Sequence, residues 1–91
     1  MNKIELTTAI AALDSTEAAL GTIDTAWENA PEDTTLEAAW AAAYEAHHAA
    51  WRKVVSLLRD FSGGALDEHT IRIMLIKKRA DLDALIARWA D

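Results

Sequence analysis

Apolar side chains recur along most of this chain at intervals of three and four residues. Leu36, Trp40, Ala43, His47, Trp51, Val54, Leu58 and Phe61 form one stripe at about 100° per residue, which predicts an amphipathic helix. Upstream, Leu6, Leu13, Leu20 and Trp27 repeat every seven positions, with Ala9 and Ile23 beside them. Downstream, Ile71, Met74, Leu75, Leu82, Leu85, Ile86 and Trp89 share a face. No segment alternates apolar and polar residues as a half-buried strand would, and abundant alanine favours helix.

Two stretches interrupt the pattern. In Asn29-Ala30-Pro31-Glu32-Asp33-Thr34-Thr35 the proline stops one helix, and Thr34 with Glu37 fits a capping box for the next. In Phe61-Ser62-Gly63-Gly64 paired glycines supply the positive φ that ends a helix, and Asp67 can cap the one that follows. Helices are therefore expected over about 3–29, 35–61 and 67–90. Segments of similar length joined by short loops pack antiparallel, so the expected fold is an all-α, up-down-up three-helix bundle, a single domain over 1–91. The first helix is expected to run unbroken or merely kinked, although Asp14-Ser15-Thr16-Glu17 could cap a new helix and Gly21 weakens its interior.

Helix three carries a second apolar edge of Ile73, Ile76, Ala80, Ala84 and Ala87, away from its main stripe. Either the other two helices flank and cover it, or Ile73 and Ile76 belong to a homodimer or partner interface.

Composition narrows the class. Of 91 residues 52% are hydrophobic, and four tryptophans supply apolar area that so short a chain otherwise lacks. Cysteine is absent, which excludes disulfides and thiolate metal sites. MNKIELTTAI lacks the organisation of a signal peptide, and no apolar run approaches the roughly 18 residues of a membrane span. A soluble, cytoplasmic protein is expected.

Charge separates the chain into two parts. Residues 4–51 hold nine acids and no lysine or arginine, whereas residues 52–91 hold eight bases and six acids. Asp14, Glu17, Asp24 and Glu28 fall within about an 80° arc of the first helix, beside the apolar stripe, and Glu32 and Asp33 extend the acidic surface onto the loop. Such a ridge would steer a basic partner and repel nucleic acid. Alternatively Arg52, Arg59, Arg72, Arg79 and Arg88 face these carboxylates across the bundle and neutralise them internally.

Candidate chemistry is thin. Glu45 and His48 have the Glu-x-x-His spacing of helical di-iron sites, but those sites need two such pairs plus two further glutamates, so a homodimer would have to supply the second. His47 interrupts an apolar stripe, which reads first as a hydrogen-bonded core histidine. Trp40, Tyr44 and Trp51 share a side of helix two and read as core before they read as an aromatic pocket. No nucleophile–base set is present and Gly63-Gly64 lacks the context of a phosphate loop, so no reaction class can be argued. The expectation is a cofactor-free, non-enzymatic inhibitor or adaptor acting on a protein with a basic surface through Asp14, Glu17, Asp24, Glu28, Glu32, Asp33, Ile73 and Ile76. Phage-encoded anti-CRISPR proteins that block a basic nucleic-acid-binding surface are an analogy of size and charge. The alternative is a homodimeric bundle holding a metal or small ligand between subunits through Glu45 and His48.

Overall fold

The seven-residue spacing of Leu6, Leu13, Leu20 and Trp27 becomes one uninterrupted helix in the computed structural model, which describes residues 3–89. Helix α1 runs Lys3–Asn29 and helix α2 runs Thr34–Phe61, so neither the Asp14–Glu17 segment nor Gly21 breaks α1. Pro31 lies in the turn between them, and the chain reverses direction there.

The two helices form an antiparallel pair along one seam. Leu6, Ala9, Leu13, Thr16, Leu20, Ile23 and Trp27 on α1 step by three and four, as do Leu36, Trp40, Ala43, His47, Ala50, Val54, Leu57 and Phe61 on α2. All of them are buried or half-buried. That alternation is the coiled-coil repeat, in which each knob enters a hole on the facing helix. A contact of 3.2 Å between Thr16 Oγ1 and His47 Nδ1 fixes the register and sets Leu20 opposite Ala43 and Leu13 opposite Ala50.

The start of α2 differs from the expected capping box. Asp33, rather than Thr34, is the N-cap: its carboxylate accepts from the Thr35 amide at 2.9 Å and from the Thr35 hydroxyl at 2.6 Å. A carboxylate is the stronger acceptor at the positive end of a helix, and its use draws Thr34 into the first turn. Asp67 caps the next helix as expected, accepting from the Thr70 amide at 2.7 Å. Gly63 and Gly64 adopt φ of 64° and 87°, the left-handed conformation that ends α2.

The expected third helix is two helices, so the described residues form four helices rather than a three-helix bundle. Helix α3 is Glu68–Lys77 and helix α4 is Arg79–Arg88; position 90, where one helix was expected to end, lies outside the described residues. The break falls at Lys78, with φ −128° and ψ 47° and no glycine or proline to cause it. A lysine falls in the apolar stripe at this point. Ile71, Leu75, Lys78, Leu82, Leu85 and Trp89 step by four and three, so a straight helix would aim the Lys78 ammonium into the core. Burying an unpaired charge costs several kcal/mol. Breaking the helix leaves Lys78 exposed and still bonded, its amide to the carbonyls of Ile73 and Met74 at 3.3 and 3.2 Å.

The core sits at one end of the molecule. Its buried members are Leu6, Ala9, Ile10 and Leu13 of α1, Val54, Leu57 and Leu58 of α2, and Ile71, Leu75, Leu82 and Ile86 of α3 and α4. No residue from 14 to 53 is fully buried. Helices α3 and α4 therefore complete a four-helix base, from which the rest of α1 and α2 projects as a two-helix arm. The molecule measures 49 × 22 × 20 Å, and its radius of gyration of 15.4 Å exceeds the roughly 12 Å of a compact chain of this length.

The two caps predict an acid-sensitive fold. Hydrogen bonding from the Thr35 side chain first, then from its amide, holds the Asp33 carboxyl below the ordinary aspartate range. The Thr70 amide does the same for Asp67. A carboxyl depressed in the folded state stabilises the fold above its unfolded pKa of about 3.9 and loses that contribution as pH falls through the lower folded value. Replacing both with asparagine keeps a capping oxygen and removes the titration. In thermal melts, the double Asp33→Asn, Asp67→Asn variant should lose less stability below about pH 4 than the parent. Parallel losses would exclude the caps as the acid-sensitive groups.

Candidate functional site

The arm separates the charges of the chain along its length. Residues 14–51 carry eight acids and no lysine or arginine, while the remainder carries nine bases and seven acids. Within the arm, Glu17, Asp24, Glu28 and Glu32 are exposed. Asp33 is exposed too, with its carboxylate engaged as the α2 cap.

Internal neutralisation occurs where the arm meets the base. Arg79 Nη2 donates to Asp14 Oδ2 at 2.6 Å, with both side chains partly open to solvent, so the pair contributes at most about 1 kcal/mol. Arg72 lies over the Trp51 ring, 5.3 Å from its centroid, and attracts its π-face. Of the other acids of the ridge, Glu17 borders the cleft that Arg72 and Arg79 also line, Asp24 and Glu28 lie farther out along α1, and Glu32 and Asp33 follow in the turn.

A line of rings runs along the arm on α2. Trp40 stacks on Tyr44 with centroids 5.2 Å apart and planes 19° from parallel, and Tyr44 stacks on His48 at 6.2 Å and 5°. Trp27 crosses from α1 to meet Trp40 at 6.3 Å, and its indole N–H donates to the Pro31 carbonyl at 3.1 Å. Trp27 and Trp40 thus close the far end of the seam, as core residues of the arm, while Tyr44 stays 48% exposed. Sequence reasoning placed Trp40, Tyr44 and Trp51 on one side of α2; it missed that Tyr44 is left open.

Where the arm joins the base, a cleft of about 500 Å³ has α1 and α2 as its floor and α3 and α4 as its wall. Asp14 and Glu17 border it on one side and Tyr44 and Trp51 on the other, with Ile76 at the wall. Ile76 is 70% exposed, whereas Ile73 is half-buried. The two isoleucines expected to act together are thus in different surroundings. A wider cleft of about 740 Å³ between α2 and the Gly63-Gly64 turn is lined by Arg52, Arg59, Asp60 and Glu68, and so carries both signs, as does the first cleft, which Arg72 and Arg79 also line.

His47 is half-buried in the seam. The Thr16 hydroxyl lies 2.9 Å from the Leu13 carbonyl, to which it can donate, and shares a 3.2 Å hydrogen bond with His47 Nδ1 across the seam. Glu45 and His48 are both exposed, and no third acid, histidine or cysteine joins them among the described residues. No helix of the described residues is long and apolar enough to cross a membrane.

Comparison with protein-family models, curated proteins and solved structures yields no match, so the function must be argued from the arm, its charge and the cleft at its root.

Proposed function

We propose that this is a non-enzymatic binding protein, an inhibitor or adaptor, whose acidic arm docks on a basic surface of a protein partner. The observation that carries this reading is the arm itself: eight acids and no lysine or arginine on a thin, projecting helix pair. Such a density costs stability. Asp24 and Glu28 repel each other at i,i+4, and Glu28 lies near the negative end of the α1 dipole, where the last turn has no basic residue. Each effect amounts to a few tenths of a kcal/mol. An arm kept for stability alone would place lysine or arginine there. A narrow anionic rod also suits a groove shaped for a phosphate backbone, which makes occlusion of a nucleic-acid-binding site a natural mode of inhibition.

Charge reversal tests the reading. The parent chain and an Asp24→Lys, Glu28→Lys, Glu32→Lys variant are immobilised and exposed to the same extract of the native source. All three side chains are exposed, so circular dichroism should show the same helix content. The parent should retain a basic protein at low salt and release it as the screening length shrinks from about 10 Å at 0.1 M to about 3 Å at 1 M. The variant should not retain it. Equal capture of the same protein by both would exclude the acidic arm as the binding surface.

A further inference from the structure

We infer that the uncovered half of the face on which α3 and α4 pack is a docking groove for a basic amphipathic helix of a protein partner, an inference that rests on the acidic-arm reading and names the element the arm receives. The chain supplies its own template for such a contact. On the base, α3 and α4 press apolar side chains, Leu75 among them, onto the hairpin and hold two arginines seven residues apart. Arg79 reaches the acidic line of α1 at Asp14, and Arg72 reaches the aromatic line of α2 at Trp51.

Both lines continue past the end of that cover. Glu17, Asp24 and Glu28 follow Asp14 on the same flank of α1, and Tyr44 and Trp40 follow Trp51 on α2. The cleft at the junction brings Glu17, Tyr44 and Ile76 together with Arg72 and Arg79, so the acidic flank, the ring line and the edge of α3 meet there and the charge at that point is mixed. Tyr44 and Ile76 are two of the large apolar side chains left exposed, and they stand at this same place. Gly21 lies on the acidic flank too, and a Cβ there would meet nothing within 4 Å, so the flank is open to solvent at that point.

Charge selects the occupant. A second copy laid arm to arm would set eight acids against eight, whereas a helix that carries arginine or lysine beside leucine or isoleucine offers the arm the side-chain types that Arg72 and Leu75 of α3 and Arg79 of α4 offer at its root.

The test uses the full chain and two synthetic peptides: a helix with Arg at i and i+7 around Leu and Ile, and a scrambled peptide of identical composition. The helix should bind about tenfold or more tighter than the scramble, and Tyr44→Ala with Ile76→Ala should weaken it by about tenfold. Tyr44→Phe should keep the affinity. Glu17→Gln, Asp24→Asn, Glu28→Gln should weaken both peptides, most at low salt. If the scramble binds as tightly and Tyr44→Ala, Ile76→Ala changes nothing, the groove is overturned while the acidic arm stands as a charged surface. Indifference to the neutralised carboxylates overturns both. A chain that sediments as a dimer, and as a monomer once Tyr44 and Ile76 are alanine, replaces the basic helix with a second copy.

Discussion

Leu58→Ala should cost about 3–4 kcal/mol, while Leu20→Ala, the same change in the same hairpin, should cost about 1 kcal/mol. Leu58 is wholly buried in the core to which all four helices contribute, so its removal leaves a cavity whose lining cannot readily close. Leu20 is half-buried on the arm opposite Ala43, where water already reaches the seam and can occupy the space. A chain of this length has about 5–14 kcal/mol of stability, and an elongated one with its core at one end falls in the lower part of that range. The first substitution should therefore shift the urea midpoint far down, and the second only slightly. Equal shifts would mean that the arm carries as much of the stability as the base. Hydrogen exchange adds a check within one sample: amides of residues 14–50 should exchange sooner than those of residues 54–58, because the arm can open without breaking the core.

The contrast also shows why the sequence foretold the helices better than their arrangement. Periodicity identified the seam of α1 and α2 almost residue by residue, and Pro31, Gly63 and Asp67 marked the turns through backbone chemistry that needs no partner. The even spacing of apolar residues along both long helices suggested a bundle of uniform thickness. Periodicity records which way a side chain points and says nothing of how many neighbours cover it. The third segment is too short and too bent to cover helices of 27 and 28 residues, so half of their length has one partner only. The bend was legible in retrospect: Lys78 falls in the stripe between Leu75 and Leu82, and a charge at a core position signals a break even without proline or glycine. Similar reasoning applies to the site. The one-sided charge was plain in the sequence, but Asp14 and Glu17 could be told apart only once Arg79 was seen to reach Asp14. Ile73 and Ile76 differ in the same way, since three residues along a helix are enough to carry a side chain from a covered edge to an open one.

Replacing Thr16 and His47 together with leucine should raise stability by about 1–2 kcal/mol and make the chain self-associate more than the parent. These two side chains form a polar layer in an otherwise apolar seam, joined by the hydrogen bond between them. Removing both avoids leaving either group unsatisfied, so the variant gains apolar burial without a desolvation penalty. The gain has a second consequence, because the arm has only two helices. A continuous leucine seam beside Trp40 and Tyr44 would present an apolar strip that two helices cannot cover, and such strips recruit further helices. A polar layer within a coiled-coil seam limits that drift at some cost in stability. The double variant should therefore melt higher and sediment with more of its mass in larger species than the parent, while His47→Leu alone, which leaves Thr16 without its partner across the seam, should gain less. A double variant of higher stability that associates no more than the parent would show that the layer does not control association.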